Sequence, residues 1–126
     1  MQREIKFRVW DETEKEMTYF NPFEVLLGQT QRKVFMQATG LLDRNGKEIY
    51  EGDILHHRKD AYLKVYFAEG SASFMKEVFK APEMGKILAL GDTRHLYQKF
   101  TGDSKDEEII GNIYENPELV IDMKTQ

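Results

Sequence analysis

The chain contains no cysteine. Thiol nucleophiles, cysteine-ligated zinc, iron–sulfur clusters and disulfide staples are all excluded, and stability must come from packing, as suits a reducing compartment. Serine is scarce. Ser71, Ser73 and Ser104 have no histidine nearby in sequence, so a serine–histidine nucleophile has no support. Long apolar runs are missing too: Val25–Leu27 and Ile87–Leu90 fall far short of the roughly 20 residues of a membrane span. Met1 to Arg8 alternates charge with apolar residues and has no signal-peptide core. The expected location is the cytoplasm, with no membrane partner. There is no excess of positive charge: 18 Lys and Arg face 22 Asp and Glu, a net charge of −4. That argues against a nucleic-acid partner, whose binding rests on neutralising phosphates. Arg3, Lys6, Arg8, Lys33, Arg58, Lys59 and Lys64 would have to converge to make a basic patch, and solvated strand faces are the simpler reading.

What is present suffices for one ordinary domain. The chain has 126 residues, of which 40% are apolar and 12% aromatic, enough to bury a core. Repeats, low-complexity tracts and linkers rich in glycine, serine or proline are absent. Ile5 to Trp10 alternates strictly, and the reading puts Ile5, Phe7 and Val9 on the core face with Lys6, Arg8 and Trp10 outward. The charged connector Asp11 to Glu16 leads to Met17–Phe20, and the two segments form an antiparallel hairpin in this reading. Residues 23–32 suit a short helix or an irregular loop as well as a strand, and Lys33 to Thr39 a strand.

Asn45-Gly46, flanked by Leu41-Leu42 and Ile49-Tyr50, predicts a tight hairpin turn of type I′, in which both central residues take positive φ. Glu51-Gly52-Asp53 is a second turn and Ile54 to His57 a strand. Leu63, Val65 and Phe67 are expected in the core, with Tyr62, Lys64 and Tyr66 outward. A turn at Ala68–Ser71 follows, then Ala72–Phe79, whose period fits neither a helix nor a strand cleanly. Ile87–Leu90 and Ile109–Tyr114 read as strands, and Thr101–Glu108 as a solvated acidic loop. Asn116-Pro117-Glu118-Leu119 predicts one helical turn, with Asn116 capping the amide of Glu118 or Leu119 and Leu119 packing onto the barrel beside Ile113. Short strands at close spacing predict a mainly β protein: a small barrel over about residues 41–126, preceded by a hairpin region over about 1–40.

Three segments carry a family resemblance. Phe7-Arg8-Val9-Trp10-Asp11 with Met17 and Tyr19, then Thr39 to Ile54 (TGLLDRNGKEIYEGDI), then Ile109 to Leu119 (IIGNIYENPEL) together resemble the YopX family of bacteriophage and prophage proteins. The resemblance implies a phage or prophage origin and an SH3-like small barrel. It implies no activity. His56 to Asp106 carries no family motif.

The candidate chemistry favours structural explanations. His56 and His57 are adjacent on a strand and point to opposite faces, so Asp53 with His57 offers one carboxylate and one imidazole, and only His95 remains as a further histidine. Glu51 and Asp53 invite an acid–base pair, but Asp53 is better read as an acceptor for turn amides. Asp103, Asp106, Glu107 and Glu108 lack the spacing of a calcium loop. Gly40, Gly46 and Gly52 are not a phosphate loop. Trp10, Tyr19, Tyr50, Tyr62, Tyr66 and Tyr114 offer core or, if exposed, a stacking face. No catalytic, cofactor or metal residues are assigned. The expected function is that of an accessory protein acting by binding a protein partner or its own copies, not an enzyme. A nucleic-acid-binding barrel and an inhibitor of a host enzyme are the alternatives.

Overall fold

The computed structural model describes residues 6–20, 33–82, 97–100 and 102–124. Ile5, Arg3, His95, residues 23–32 and the expected strand Ile87–Leu90 lie outside the described residues. The protein is mainly β, with a curled, half-barrel sheet. Strands β1 (Phe7–Asp11), β2 (Glu16–Phe20), β3 (Lys33–Leu42) and β4 (Glu48–Tyr50) form a sheet of order β2-β1-β3-β4. Strands β5 (Asp53–His57), β6 (Tyr62–Ala68), β7 (Ser73–Lys80), β8 (Tyr97–Lys99) and β9 (Glu107–Asn112) form the second, of order β8-β7-β6-β5-β9. A helix, α1 (Pro117–Lys124), packs against β7. Ile49, Leu55, Leu63, Val65 and Val78 make the apolar core, with Phe100 and Ile109 at its margin.

Gly52 is one of the joints between the two sheets. It donates its N–H to the carbonyl of Val65 and accepts the N–H of Ile113, each at 2.9 Å. Its φ is +86°, and a Cβ there would stand 3.1 Å from the Met36 sulfur, so both backbone and space select glycine.

The hairpins share a design. In the central one, Gly46 donates to the Asp43 carbonyl and Asp43 donates to the Lys47 carbonyl. Gly46 has φ +78°, but Asn45 is not among the residues of positive φ. The turn is therefore a type I turn closed by one left-handed residue, not type I′. Asp60 (φ +63°) holds the equivalent place between β5 and β6, and the same left-handed residue recurs as Lys15 (φ +56°) before β2 and Ala72 (φ +51°) before β7.

Three strand readings change. On β1 it is Arg8 and Trp10 that are buried, while Phe7 and Val9 are only half-buried. Both faces of that strand carry apolar residues, so alternation alone cannot choose between them. Arg8 finds a buried carboxylate, and Trp10 stacks on Tyr114 with centroids 6.2 Å apart. On β6, Leu63 and Val65 are buried but Phe67 is exposed and packs edge-on against Phe74. The muddled period of Ala72–Phe79 has a cause: β7 is a strand with a bulge opposite Tyr62 and Leu63, which turns both Val78 and Phe79 inward.

The acidic stretch before β9 is exposed at Asp103, Lys105 and Asp106, as a solvated loop would be, but it is also tied to the rest of the fold. Asp103 accepts the Leu42 amide through its carboxylate, Ser104 donates its N–H to the Leu42 carbonyl, and the Glu107 carbonyl accepts the Arg44 amide. Ser104 and Glu107 are buried, and Glu107 pairs with Lys76 at 2.9 Å. These acids clamp the central hairpin onto the second sheet.

Candidate functional site

A cleft of about 560 Å³ opens where the two sheets meet. β1 and β2 supply Arg8 and Tyr19, and the central segment supplies Lys47, Glu48, Tyr50 and Asp53. Ile109 to Asn112, Glu115 and Asn116 complete the wall. All three segments that carry the family resemblance therefore meet in one place, although they are dispersed along the chain.

At its floor lies a buried ion pair. Arg8 Nη2 stands 2.9 Å from Asp53 Oδ1 and donates to the Glu51 carbonyl, and both charged side chains are 3% exposed. Asp53 Oδ2 accepts the Tyr50 amide at 2.8 Å, as the turn reading expected. Burial pushes the Asp53 carboxyl above its usual range, and the Arg8 charge and the Tyr50 amide only partly offset this. The guanidinium also lies over the Tyr50 ring, 4.9 Å from its centroid. Burial raises the Tyr50 phenol, which stays protonated at neutral pH. Arg8 Nε has no acceptor among the described residues.

Two exposed large apolar side chains stand at the rim, beside the exposed Lys47 and Glu115. Tyr19, 56% exposed, meets the Tyr50 ring edge-on at 5.5 Å. Ile110 owes its position to a bulge: Ile54 pairs with Gly111 and Leu55 with Ile109, which leaves Ile110 as the extra residue, 37% exposed.

The C-terminal segment shapes the remaining wall, though not as a helix cap. Asn116 Oδ1 accepts the Asn112 amide at 3.2 Å and lies against Gly111, where a Cβ would stand 2.6 Å from it. The amide of Leu119 goes to the Asn116 carbonyl instead of its side chain, and Leu119 itself is half-buried. Asn112 Oδ1 accepts the amides of Tyr114 and Glu115. The asparagines are thus spent on folding the chain back from β9 into α1.

The other singled-out residues disperse. The Glu51 carboxylate accepts the Gln37 amide and does not pair with Asp53. His56 stacks on Tyr62 at 4.7 Å beside Asp60. His57 accepts the Lys59 amide at Nδ1 and lines a separate cavity with Leu63 and Val78, so it shares no site with Asp53. No group of three His, Asp or Glu that could hold a metal occurs among the described residues. Of the basic residues considered as a patch, Lys6, Arg8, Arg58 and Lys64 each pair with an acid: Glu48, Asp53, Asp106 and Glu77. No helix among the described residues is long and apolar enough to cross a membrane. A second cleft, of about 640 Å³, lies at Phe67, Phe74, Phe100 and Leu41 and touches little of the resembling segments.

Sequence reasoning missed Arg8, Ile110 and the clamp of Asp103 to Glu107. Only the charged residue set between apolar Phe7 and Val9, at Arg8, was a usable signal.

The chain resembles a solved structure, the crystal structure of protein EF1440 from Enterococcus faecalis. The TM-score is 0.58 at 26% identity, over 94% of this chain and 99% of that one. No curated protein matches. The family model described as YopX protein matches residues 23–121, which include the central and C-terminal segments of the cleft but not Phe7–Asp11. The chain belongs to the YopX family.

Proposed function

We propose that this protein is a phage or prophage accessory protein that works by binding a protein partner in the cytoplasm, without catalysis, through the cleft between its two sheets. The observation that carries the reading is the meeting of Arg8, Tyr19, Lys47–Asp53 and Ile109–Asn116 around one opening whose rim exposes Tyr19 and Ile110. Large side chains held at the mouth of a rigid concave site are typical anchors for a partner. Against catalysis stands the use of both Asp53 oxygens, one by Arg8 and one by the Tyr50 amide, which leaves the buried carboxylate no role as a base. The pairing of Lys6, Arg44, Arg58 and Lys64 with acids, in a chain of net negative charge, favours a protein partner over nucleic acid. In this reading the curled β5–β9 sheet is the scaffold of an SH3-like barrel.

Site-specific photo-crosslinking in host cells tests it. A benzophenone side chain at Tyr19 or Ile110 is expected to capture a discrete partner, and one at Phe67 is not. Capture at Phe67 alone would move the site to the other cleft.

A further inference from the structure

The cleft has one open flank. β2 lies at the edge of its sheet, and among the described residues no strand pairs with its far side. Its backbone donors and acceptors on that side are available to a further strand. Tyr19 stands opposite Arg8 in the β1–β2 register, so it projects from the cleft face of β2. A strand added at this edge would place every second side chain beside Tyr19, on the same face.

Charge selects what could dock there. Asp11, Glu12, Glu14 and Glu16 are concentrated around the β1–β2 turn, with Lys15 as the only base. Asp11 is occupied by the amides of Thr13 and Glu14. Glu12, Glu14 and Glu16 are exposed and have no ion-pair partner among the described residues, unlike the acids paired with Lys6, Lys64 and Lys76. The cleft itself carries two bases, Arg8 and Lys47, against three acids, Glu48, Asp53 and Glu115. At its floor, Arg8 is almost wholly buried yet keeps an N–H without an acceptor among the described residues, an arrangement native proteins seldom leave unexplained.

Resting on the reading of the cleft as a binding site, we propose that β2 is a docking edge. An extended segment of a partner protein, apolar on one side and rich in lysine or arginine, adds to β2 as a further strand and lays its apolar side chains against Tyr19. Backbone hydrogen bonds supply the attachment, and Tyr19 with the acidic turn supplies the selectivity.

Short synthetic peptides added to the full chain test this. One alternates valine with lysine, one has glutamate in place of lysine, and one keeps the lysines but carries proline at alternate positions. The valine–lysine peptide is expected to slow hydrogen exchange at those β2 amides that do not bond to β1, with affinity falling as salt rises. The triple variant E12Q/E14Q/E16Q is expected to weaken it about tenfold, as three exposed charges would. The glutamate and proline peptides are expected not to bind. Equal binding of the proline peptide, or signals at Tyr19 without protection of β2, would refute strand addition while leaving the cleft as the binding site. Failure of every peptide, with crosslinking at Tyr19 still productive, would refute the basic, extended partner alone. Concentration-dependent self-association that protects β2 without peptide would assign the edge to a second copy and also overturn the proposal.

Discussion

Asp43 and Asp53 lie ten positions apart in one segment, and both are buried, but the protein treats them in opposite ways. Around Asp43 the protein has arranged backbone. Its Oδ1 accepts the amides of Asn45 and Lys47 and its Oδ2 that of Ile109. Burial raises its carboxyl, but those three amides and the Lys47 charge outweigh it, and the net shift is downward. Asp53 has one amide and the guanidinium of a distant strand, and its net shift is upward. Fixed dipoles that the fold must place anyway stabilise a buried charge without further cost. A second buried charge brings its own desolvation.

The sharpest way to break that comparison is to remove one member of the ion pair. Arg8→Met should cost about 3–5 kcal/mol in urea melts, because Asp53 is left buried and uncompensated. Adding Asp53→Leu to it should recover much of the loss. A single-variant cost below about 1 kcal/mol would mean the pair is not buried in solution.

Asp43→Ala should cost less, about 1–3 kcal/mol, since it strands amides and no charge. The pH dependence separates the two residues by sign. Asp43 binds its proton less readily folded than unfolded, so its contribution is full above the unfolded value near 3.8 and is lost as pH falls through it and below. Asp53 binds its proton more readily folded, so its contribution is present at low pH and is lost as pH rises from 3.8 through the raised folded value. Acid titrations of stability should therefore be flatter for Asp43→Asn and steeper for Asp53→Asn. The same direction for both would overturn the contrast.

The smaller effects concern the turns beside these residues. Gly52→Ala should cost about 1–3 kcal/mol, as it meets both a left-handed backbone and the Met36 sulfur. Gly46→Ala has the same backbone problem but open space around it, and should cost about 1 kcal/mol. Ala72 is already strained at φ +51°, so Ala72→Gly should raise stability by about 0.5–1 kcal/mol. Thermal melts of the three, compared pairwise, divide steric from conformational cost.

The same contrast marks what was legible in the sequence. Gly46 and the turn at Asp53 act over a few residues, and dipeptides such as Asn45-Gly46 announce them, even though the turn type differs; the bond from Ile109 to Asp43 spans the chain and has no such signal. The mainly β class followed from short strands between turn residues, and the family from its three segments. Arg8 was assigned to solvent because its partner is remote in sequence and either face of β1 would satisfy hydrophobic alternation. Bulges hid Ile110 and blurred β7, since one inserted residue reverses the facing of all that follow. Asn116 was misdirected because its residue type predicts a cap, whereas the close approach of Gly111 draws it the other way.

Gly52 bears on how the chain acquires its shape. By bonding to Val65 on one side and Ile113 on the other, it ties β6 to the residue that follows β9. β9, which pairs with β5, is the last strand in chain order among the described residues. A ribosome will have released β5 and the more than fifty residues that follow it before the wall formed by Ile109 to Asn116 exists. Until then Ile54 and Leu55 lack their neighbour strand, and their unpaired edge is exposed to other nascent chains. Contacts of such long sequence separation make for slow closure. The cleft is therefore completed only when Ile109 to Asn116 have joined β5, and a fragment that stops before them lacks that wall.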